Sequence, residues 1–157
     1  MKTVYIVRHA KSSWDFTHLS DLERPILDSG RIKTRKKIAQ LLAMKQAPPQ
    51  LILSSNALRA QQTAAEWATG LSLDLNDIAI KPALYHADND LIFRLCADVG
   101  NHIEALMLVG HNPALTNFVN LFLLPPIDEL HTSAFVCLVF DTTYWSGIKQ
   151  AGYKVCL

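Results

Sequence analysis

Residues 3–10 read TVYIVRHA, and this stretch decides the fold. Residues 3–7 form an unbroken run of β-branched and aromatic side chains, which is typical of a strand buried on both faces of a sheet. Arg8 and His9 follow the run directly, so the strand ends in a guanidinium and an imidazole. This pair has three interpretations: a solvated strand end, a histidine in the core, or a nucleophile beside an anion-binding arginine.

The rest of the sequence alternates between strand-like and helix-like segments. Further strands are predicted for residues 50–55, 77–84, 104–110, 133–140 and 152–157, and helices for residues 28–46, 57–70, 89–100 and 112–124. Residues 12–27 are polar and irregular, which predicts a loop. Strands separated by helices usually pair in parallel through helical crossovers. We therefore expect an α/β fold, a three-layer sandwich with a mostly parallel central sheet flanked by helices.

The predicted helix 28–46 is amphipathic. Ile38, Leu41 and Leu42 share its apolar face, and the remaining faces are strongly basic between residues 31 and 37. The basic surface is either a solvated helix face or a guide for an acidic partner.

Composition and charge indicate one globular domain over residues 1–157. Half of the residues are hydrophobic, 18% are charged, and the formal net charge is +1, so nucleic-acid binding gets no support. The three cysteines, Cys96, Cys137 and Cys156, lack metal or redox spacing, which favours a reducing compartment. Arg8 interrupts the N-terminal run too early for a signal peptide, and no run approaches a membrane span. We expect a cytoplasmic monomer or small oligomer with no membrane or nucleic-acid partner.

Polar residues follow three of the predicted strands, and they are Arg8-His9, Ser54-Ser55 leading to Arg59, and Gly110-His111-Asn112. Ligands of parallel sheets bind at the carboxyl ends of strands, so these residues should meet at one edge. Taken singly, Arg59 could pair with Glu66, and His111 could cap the next helix. Taken together, they predict a cationic pocket for a phosphoryl group. Guanidinium groups bind phosphate oxygens bidentately, and a neutral imidazole can accept the phosphoryl group.

Three blocks of the sequence, VRHAKS (7–12), SSNALRAQQTA (54–64) and LVGHNP (108–113), resemble the histidine phosphatase superfamily with its Arg-His-Gly signature. Ala10 stands where that signature usually has glycine. The segment KSSW after Ala10, the segments SDLERPILDSGR (20–31) and LYHA (84–87), and the short length are most similar to the small SixA-type phosphohistidine phosphatases. The resemblance runs from Thr3 to about Phe140. It implies a phosphoglycerate-mutase-like fold and a single histidine phosphatase domain.

The resemblance also implies roles for residues of the pocket. His9 would be the nucleophile that becomes phosphorylated on nitrogen. Arg8, Arg59 and His111 would hold the phosphoryl oxygens and stabilise the transition state, and water would then hydrolyse the phosphohistidine. No metal or organic cofactor is implied, and no acidic cluster with magnesium-type spacing stands out in the sequence. Ser12 is a further phosphate-binding candidate, with a role in the loop turn as its alternative.

Many members of the superfamily carry an acid that protonates the leaving oxygen, expected here within ALYHADND (83–90). This segment offers Tyr85 and His86. His86 is the candidate acid, and the alternative is that His86 is only an exposed residue of a surface loop. Asp88 is predicted to be the N-cap of the next helix. A departing alkoxide needs a general acid, whereas imidazole leaving from phosphohistidine can carry its own proton. A poor acid therefore favours a phosphohistidine substrate.

These observations predict a phosphatase that removes a phosphoryl group from phosphohistidine on a protein, in signal transduction, through a covalent intermediate at His9. The short spacing between Arg59 and His111 predicts an open site that suits a phosphorylated protein substrate. One alternative is a phosphatase of a small phosphorylated metabolite. Another alternative is a non-catalytic phosphate-binding module. Such a module is expected to lack His9 or one of the arginines, whereas this sequence has all of them.

Other polar residues are assigned supporting positions. Arg24 is predicted to order the loop after His9 through carboxylates such as Asp21. Trp14 is predicted either to cover the pocket or to pack under that loop. His131 and Ser133 precede a predicted strand rather than follow one, which predicts no catalytic role for them, although their loop can still border the pocket.

Overall fold

The computed structural model describes residues 1–156, so the last residue of the predicted strand 152–157 lies outside the described residues. The central sheet contains six strands, β1 (Lys2–Arg8), β2 (Leu51–Ser54), β3 (Ile78–Ile80), β4 (Ala105–Gly110), β5 (Phe135–Phe140) and β6 (Tyr153–Cys156). Their spatial order is β3-β2-β4-β1-β5-β6. Strands β1 to β4 pair in parallel, and β5 runs antiparallel to both of its neighbours, β1 and β6. The predicted α/β fold with a mostly parallel sheet is confirmed.

Four α-helices connect these strands, α1 (Asp28–Ala43), α2 (Leu58–Gly70), α3 (Asn89–Ala97) and α4 (Ala114–Val119). Short 3-10 helices occur at Asp21–Glu23, Leu75–Asp77, Pro82–His86 and Trp145–Gly147. Asp88 caps α3 as predicted, because its carboxylate accepts the backbone N–H of Leu91 at 2.7 Å. Helix α4 is shorter than the predicted segment 112–124, since tight turns begin after Val119. In residues 1–156, no helix is long and apolar enough to cross a membrane.

Helices cover both faces of the sheet because its strands are apolar on both sides. In β1, Val4 and Ile6 pack with α3 and α4, and Tyr5 and Val7 pack with α1 and α2. This alternation is the period of two that an extended strand imposes. Trp67 of α2 is fully buried in the second of these layers. The three-layer arrangement therefore agrees with the continuous apolar runs of the sequence.

The apolar face of α1 differs from the prediction at one position. Gly30, Thr34, Ile38 and Leu41 are buried, whereas the Leu42 side chain is 60% exposed. Successive helix residues point about 100° apart, so a helix turned to bury the first four residues directs Leu42 outward. The prediction that Leu42 lies on the buried face is wrong.

Strand register brings the predicted polar residues to one edge of the sheet. Arg8 lies opposite Gly110, and Ser54 lies opposite Val109, so β1, β2 and β4 end at the same level. Strand β5 is antiparallel, and its first residue, Phe135, lies opposite Val7 near the end of β1. The chain just before β5 therefore also lies at this edge.

The antiparallel direction of β5 sets the position of residues 131–134. The backbone N–H of Ser133 is 3.2 Å from the carbonyl oxygens of both Arg8 and His9. The loop before β5 therefore borders the pocket edge, because the start of an antiparallel strand adjoins the end of its neighbour. The Ser133 hydroxyl is 2.9 Å from the Thr34 hydroxyl in a buried contact, and His131 is exposed.

Candidate active site

His9 follows β1 directly and is held in one tautomer. Its ring Nδ1 lies 2.7 Å from the carbonyl oxygen of Ala10. A carbonyl oxygen can only accept, so Nδ1 carries the proton and Nε2 keeps its lone pair. Burial lowers the pKa of His9 to about 4, and the nearby charges of Arg59 and Arg8 act in the same direction. At neutral pH the ring is therefore uncharged, and Nε2 is unprotonated, which is the state that a histidine nucleophile requires.

The backbone after His9 is tied to helix α2. Ala10 is fully buried, and its N–H donates to the Thr63 hydroxyl at 2.9 Å. That hydroxyl donates in turn to the carbonyl oxygen of Arg59 at 2.6 Å. Thr63 thus connects the histidine loop to the turn that carries Arg59. Thr63 lies within the block SSNALRAQQTA, but its link to Ala10 joins residues 53 positions apart, so no local pattern predicts it.

Arg59, in the first turn of α2, lies between the two histidines. Its Nε donates to Nε2 of His9 at 3.4 Å, and its NH2 group is 3.5 Å from Nδ1 of His111. The same guanidinium binds Asp21 through an ion pair of 2.9 Å. The alternative pairing of Arg59 with Glu66 is wrong, since Glu66 binds Arg31 and Arg35 instead.

His111 follows β4, and its ring centroid is 5.0 Å from that of His9. Because the Arg59 NH2 group can only donate, Nδ1 of His111 accepts and Nε2 carries the proton. Nε2 then donates to the Ser55 hydroxyl at 2.8 Å, which also accepts the N–H of Ala57. Burial lowers the pKa of His111 to about 3, with smaller effects of His9 and Arg59. His111 is thus directed toward the histidine–arginine cluster, and it is not the cap of α4.

Arg8, the last residue of β1, is held at one end of its guanidinium. NH1 donates to the Glu129 carboxylate and to the carbonyl oxygen of Leu130. The buried Nε–H has no acceptor among residues 1–156. A buried donor without an acceptor costs about 1–3 kcal/mol, so a hydrogen-bond acceptor at this nitrogen would stabilise the observed position of Arg8. Phosphate binding by Arg8 stays a prediction.

The loop after His9 is ordered by Arg24, as predicted. The Arg24 guanidinium donates to Asp21 at 3.0 Å and to the Ser12 hydroxyl at 3.0 Å. It also stacks 3.4 Å from the ring centroid of Trp14, which is 74% exposed. Ser12 is buried and its hydroxyl is engaged with Arg24 within the loop. Phosphate binding by Ser12 stays a prediction.

The segment 83–90 contributes Tyr85 to the cluster more directly than His86. The Tyr85 ring centroid is 5.2 Å from that of His111, and the Tyr85 hydroxyl donates to the Asp21 carboxylate. That hydrogen bond raises the pKa of Tyr85. His86 is exposed, and its ring packs against Tyr85 at a centroid distance of 4.4 Å. Proton donation by His86 stays a prediction.

Comparison with known proteins agrees with this geometry. The sequence model of the histidine phosphatase superfamily (branch 1) matches residues 4–85, just over half of the chain. The chain belongs to the histidine phosphatase superfamily. An uncharacterized chloroplastic protein of Arabidopsis thaliana is 42% identical over 62 residues, a match that covers 40% of this chain and 28% of that protein. The chain thus matches little more than a quarter of this relative's length.

Two solved structures support the SixA-type branch of this superfamily. A candidate phosphohistidine phosphatase SixA from Agrobacterium tumefaciens is 29% identical, with a TM-score of 0.74 over 87% of this chain and 90% of that one. The protein histidine phosphatase SixA complexed with tungstate is 25% identical, with a TM-score of 0.78 over 99% of this chain and 94% of that one. The expected phosphoglycerate-mutase-like fold is therefore confirmed.

Proposed function

We propose that this member of the histidine phosphatase superfamily removes a phosphoryl group from phosphohistidine on a protein through a covalent intermediate at His9. The observation that carries the proposal is the tautomer of His9. Its Nδ1–H is engaged with Ala10, so the lone pair of Nε2 faces the guanidinium of Arg59. A neutral nucleophile beside fixed positive charge is what phosphoryl transfer to histidine requires.

The first step would form the bond from Nε2 of His9 to phosphorus while the bond to the leaving group breaks. Negative charge on the three equatorial oxygens would be stabilised by Arg59 and by the nearby positive charge of Arg8, which also acts on His9. His111 lies beside Arg59 and would hold one of these oxygens. In the second step, a water oxygen would attack phosphorus. The bond to Nε2 then breaks and returns its electron pair to His9, and the water proton leaves with phosphate.

The choice of substrate rests on proton supply. Tyr85 donates its hydroxyl proton to Asp21, so that proton is engaged inside the protein. Burial alone would raise the pKa of Asp21, but hydrogen bonds from Tyr85, Arg59 and Arg24 outweigh it and hold the pKa well below its usual range. Near neutral pH, the ionised Asp21 therefore has no proton to give to a basic alkoxide, and the Tyr85 proton is held in a hydrogen bond to Asp21. An imidazole leaving group, which can depart with its own proton, fits such a site better.

The names of the solved neighbours point the same way. They describe a phosphohistidine phosphatase and a protein histidine phosphatase, the second bound to tungstate, a tetrahedral oxyanion. These descriptions support a phosphorylated protein as the substrate class and the binding of a tetrahedral oxyanion.

The test measures dephosphorylation of a phosphohistidine-bearing protein beside sugar phosphates, followed by trapping of the labelled enzyme. We expect a higher kcat/KM for the phosphoprotein and an acid-labile label on the wild-type chain. The label should be absent from His9→Ala and present in His18→Ala, which alters an exposed histidine of the loop. Preference for a sugar phosphate would favour the metabolite alternative. Binding of phosphate without turnover would favour the non-catalytic module, and persistent labelling of His9→Ala would exclude His9 as the nucleophile.

A further inference from the structure

The guanidinium of Arg59 uses its two edges for different partners. Its outer edge binds one residue, because NH1 donates to the carbonyl oxygen of Asp21 at 2.5 Å and NH2 donates to the Asp21 carboxylate at 2.9 Å. Its inner edge, formed by Nε and NH2, faces Nε2 of His9 and Nδ1 of His111 at 3.4 and 3.5 Å. A planar guanidinium held on its outer edge has its inner edge oriented as well.

Asp21 is itself held from two other directions. Its Oδ1 accepts from Arg24, which is anchored in the loop by hydrogen bonds to Ser12 and Ser13. Its Oδ2 accepts the hydroxyl of Tyr85 from the 3-10 helix Pro82–His86. The carboxylate therefore joins three segments that are far apart in the sequence. Each of its oxygens has a directional partner, which limits its movement.

The charge of Asp21 is unfavourable for binding an anion. A carboxylate beside the pocket repels a phosphoryl dianion by Coulomb interaction, and it partly neutralises the arginine that should attract the dianion. Without the Asp21 carboxylate, the pocket would therefore be expected to bind an anion more tightly. Arg8, like Arg59, is bound by one carboxylate and one backbone carbonyl oxygen. These acceptors are the Glu129 carboxylate and the Leu130 carbonyl.

We propose that Asp21 is a positioning residue that orients Arg59 so that its inner edge receives the phosphoryl group transferred to His9. The proposal rests on the proposed function, because it takes Arg59 as a ligand of the phosphoryl oxygens. Asp21 acts through Arg59 and does not touch the reacting atoms. It stays in place when the anion binds, since the outer edge that it occupies faces away from both histidines.

The decisive variant is Asp21→Asn, which keeps the side-chain volume and the backbone carbonyl but removes the charge. We expect kcat to fall by about 10–100-fold, by analogy with the loss found when a partner that orients a metal ligand is removed. We expect the Kd of inorganic phosphate to be unchanged or lower, because a repelling charge is gone. If Asp21 only stabilised the loop, its replacement would weaken phosphate binding and lower kcat together. A fall in kcat without weaker phosphate binding therefore identifies a positioning role.

Two further variants sharpen the comparison. Tyr85→Phe removes one hydrogen bond to Asp21 but keeps the ion pair with Arg59, so we expect a smaller fall in kcat and the same phosphate affinity. Asp90→Asn removes a carboxylate from an exposed ion pair with Lys149, also of 2.9 Å, and should change neither quantity. Thermal unfolding of each variant reports whether the fold is retained.

The NMR signal of the Arg59 Nε–H, assigned by its loss in Arg59→Lys, gives a readout independent of turnover. We expect one sharp signal in the wild type and a broadened or shifted one in Asp21→Asn. An unchanged signal with unchanged kcat would overturn the proposal. An increase of kcat in Asp21→Asn would also overturn it, since Asp21 would then be a competitor that substrate displaces. If the wild type shows no phosphatase activity, the proposed function fails, while the Arg59 signal still tests the positioning.

Discussion

At the scale of single residues, the two histidines share one arrangement. Each directs its proton away from the other, His9 toward the Ala10 carbonyl and His111 toward the Ser55 hydroxyl. The two unprotonated nitrogens face the same guanidinium of Arg59. Because the positive charge of this guanidinium and the burial of both rings oppose protonation, the imidazoles remain neutral.

This arrangement predicts the titration of His9. We expect its ring Cε1–H signal in NMR, assigned with His9→Gln, to stay in the neutral form until the pH falls to about 4. The ordinary value is 6.5, and burial is the main cause of the difference. A midpoint near 6.5 would contradict the buried, arginine-adjacent environment. Added phosphate should raise the midpoint, because a bound dianion favours the charged ring.

At the scale of elements, helix α1 and the loop after His9 are built against each other. The N–H of Leu27 donates to the carbonyl oxygen of Lys11 at 2.8 Å just before α1 begins. One turn later Gly30 is buried against the same loop. A Cβ at Gly30 would lie 2.7 Å from the carbonyl oxygen of Lys11 and 3.2 Å from the Ala10 Cβ. The glycine therefore permits close approach of the helix to the residues that follow the nucleophile.

Replacing this glycine should harm the protein although the change favours the helix. Gly30→Ala gains about 0.5–1 kcal/mol of helix stability in general, but the added methyl group meets backbone that cannot rotate away. Overpacking of this kind costs about 1–3 kcal/mol. We expect a net loss in the free energy of unfolding, measured with urea, and slower formation of the labelled enzyme. Ser29→Ala, an exposed change in the same turn, is the control and should have neither effect. If Gly30→Ala is as stable and active as the wild type, the loop at Ala10 and Lys11 can move to accommodate the methyl group, and the prediction is wrong.

At the scale of the whole molecule, one sheet joins Lys2 near the start of the chain to Cys156 near its end. The edge at the end of β1 collects side chains from most of the sequence, from Arg8 to Glu129. Two buried histidines at this edge must stay uncharged in the folded state. In the unfolded chain, both histidines bind protons near the ordinary pKa. The stability of the whole fold is therefore linked to pH.

The direction of that linkage follows from the lowered pKa values. Between the ordinary value of 6.5 and the folded values of about 4 for His9 and 3 for His111, the unfolded chain binds more protons than the folded one. The free energy of unfolding should thus fall as the pH falls from about 6.5 to about 4. For His9 the full effect is on the order of 3 kcal/mol. Urea unfolding at several pH values measures it, and His9→Gln should reduce the slope. A stability that stays constant over this interval in the wild type would contradict neutral burial of the two rings.

The α/β class and the position of Arg8, His9, Arg59 and His111 at one edge of the sheet could be predicted from the sequence. Both follow from local patterns, because apolar runs predict strands and parallel strands present their carboxyl ends together. The sequence did not determine the direction of β5, which brings residues 131–134 to the same edge. That direction depends on pairing with β1 rather than on the composition of β5 itself.

Only the tertiary structure decided which carboxylates hold the arginines. Asp21 and Arg59 are 38 residues apart, and Arg8 and Glu129 are 121 apart, so no local pattern joins either pair. The protonated nitrogen of each histidine was likewise decided by its tertiary neighbours, the Ala10 carbonyl and the Ser55 hydroxyl. Local periodicity fixes which residues are buried or follow a strand. The hydrogen bond that each side chain makes depends on the packing of the complete chain, and here that packing directs His9 and His111 toward Arg59.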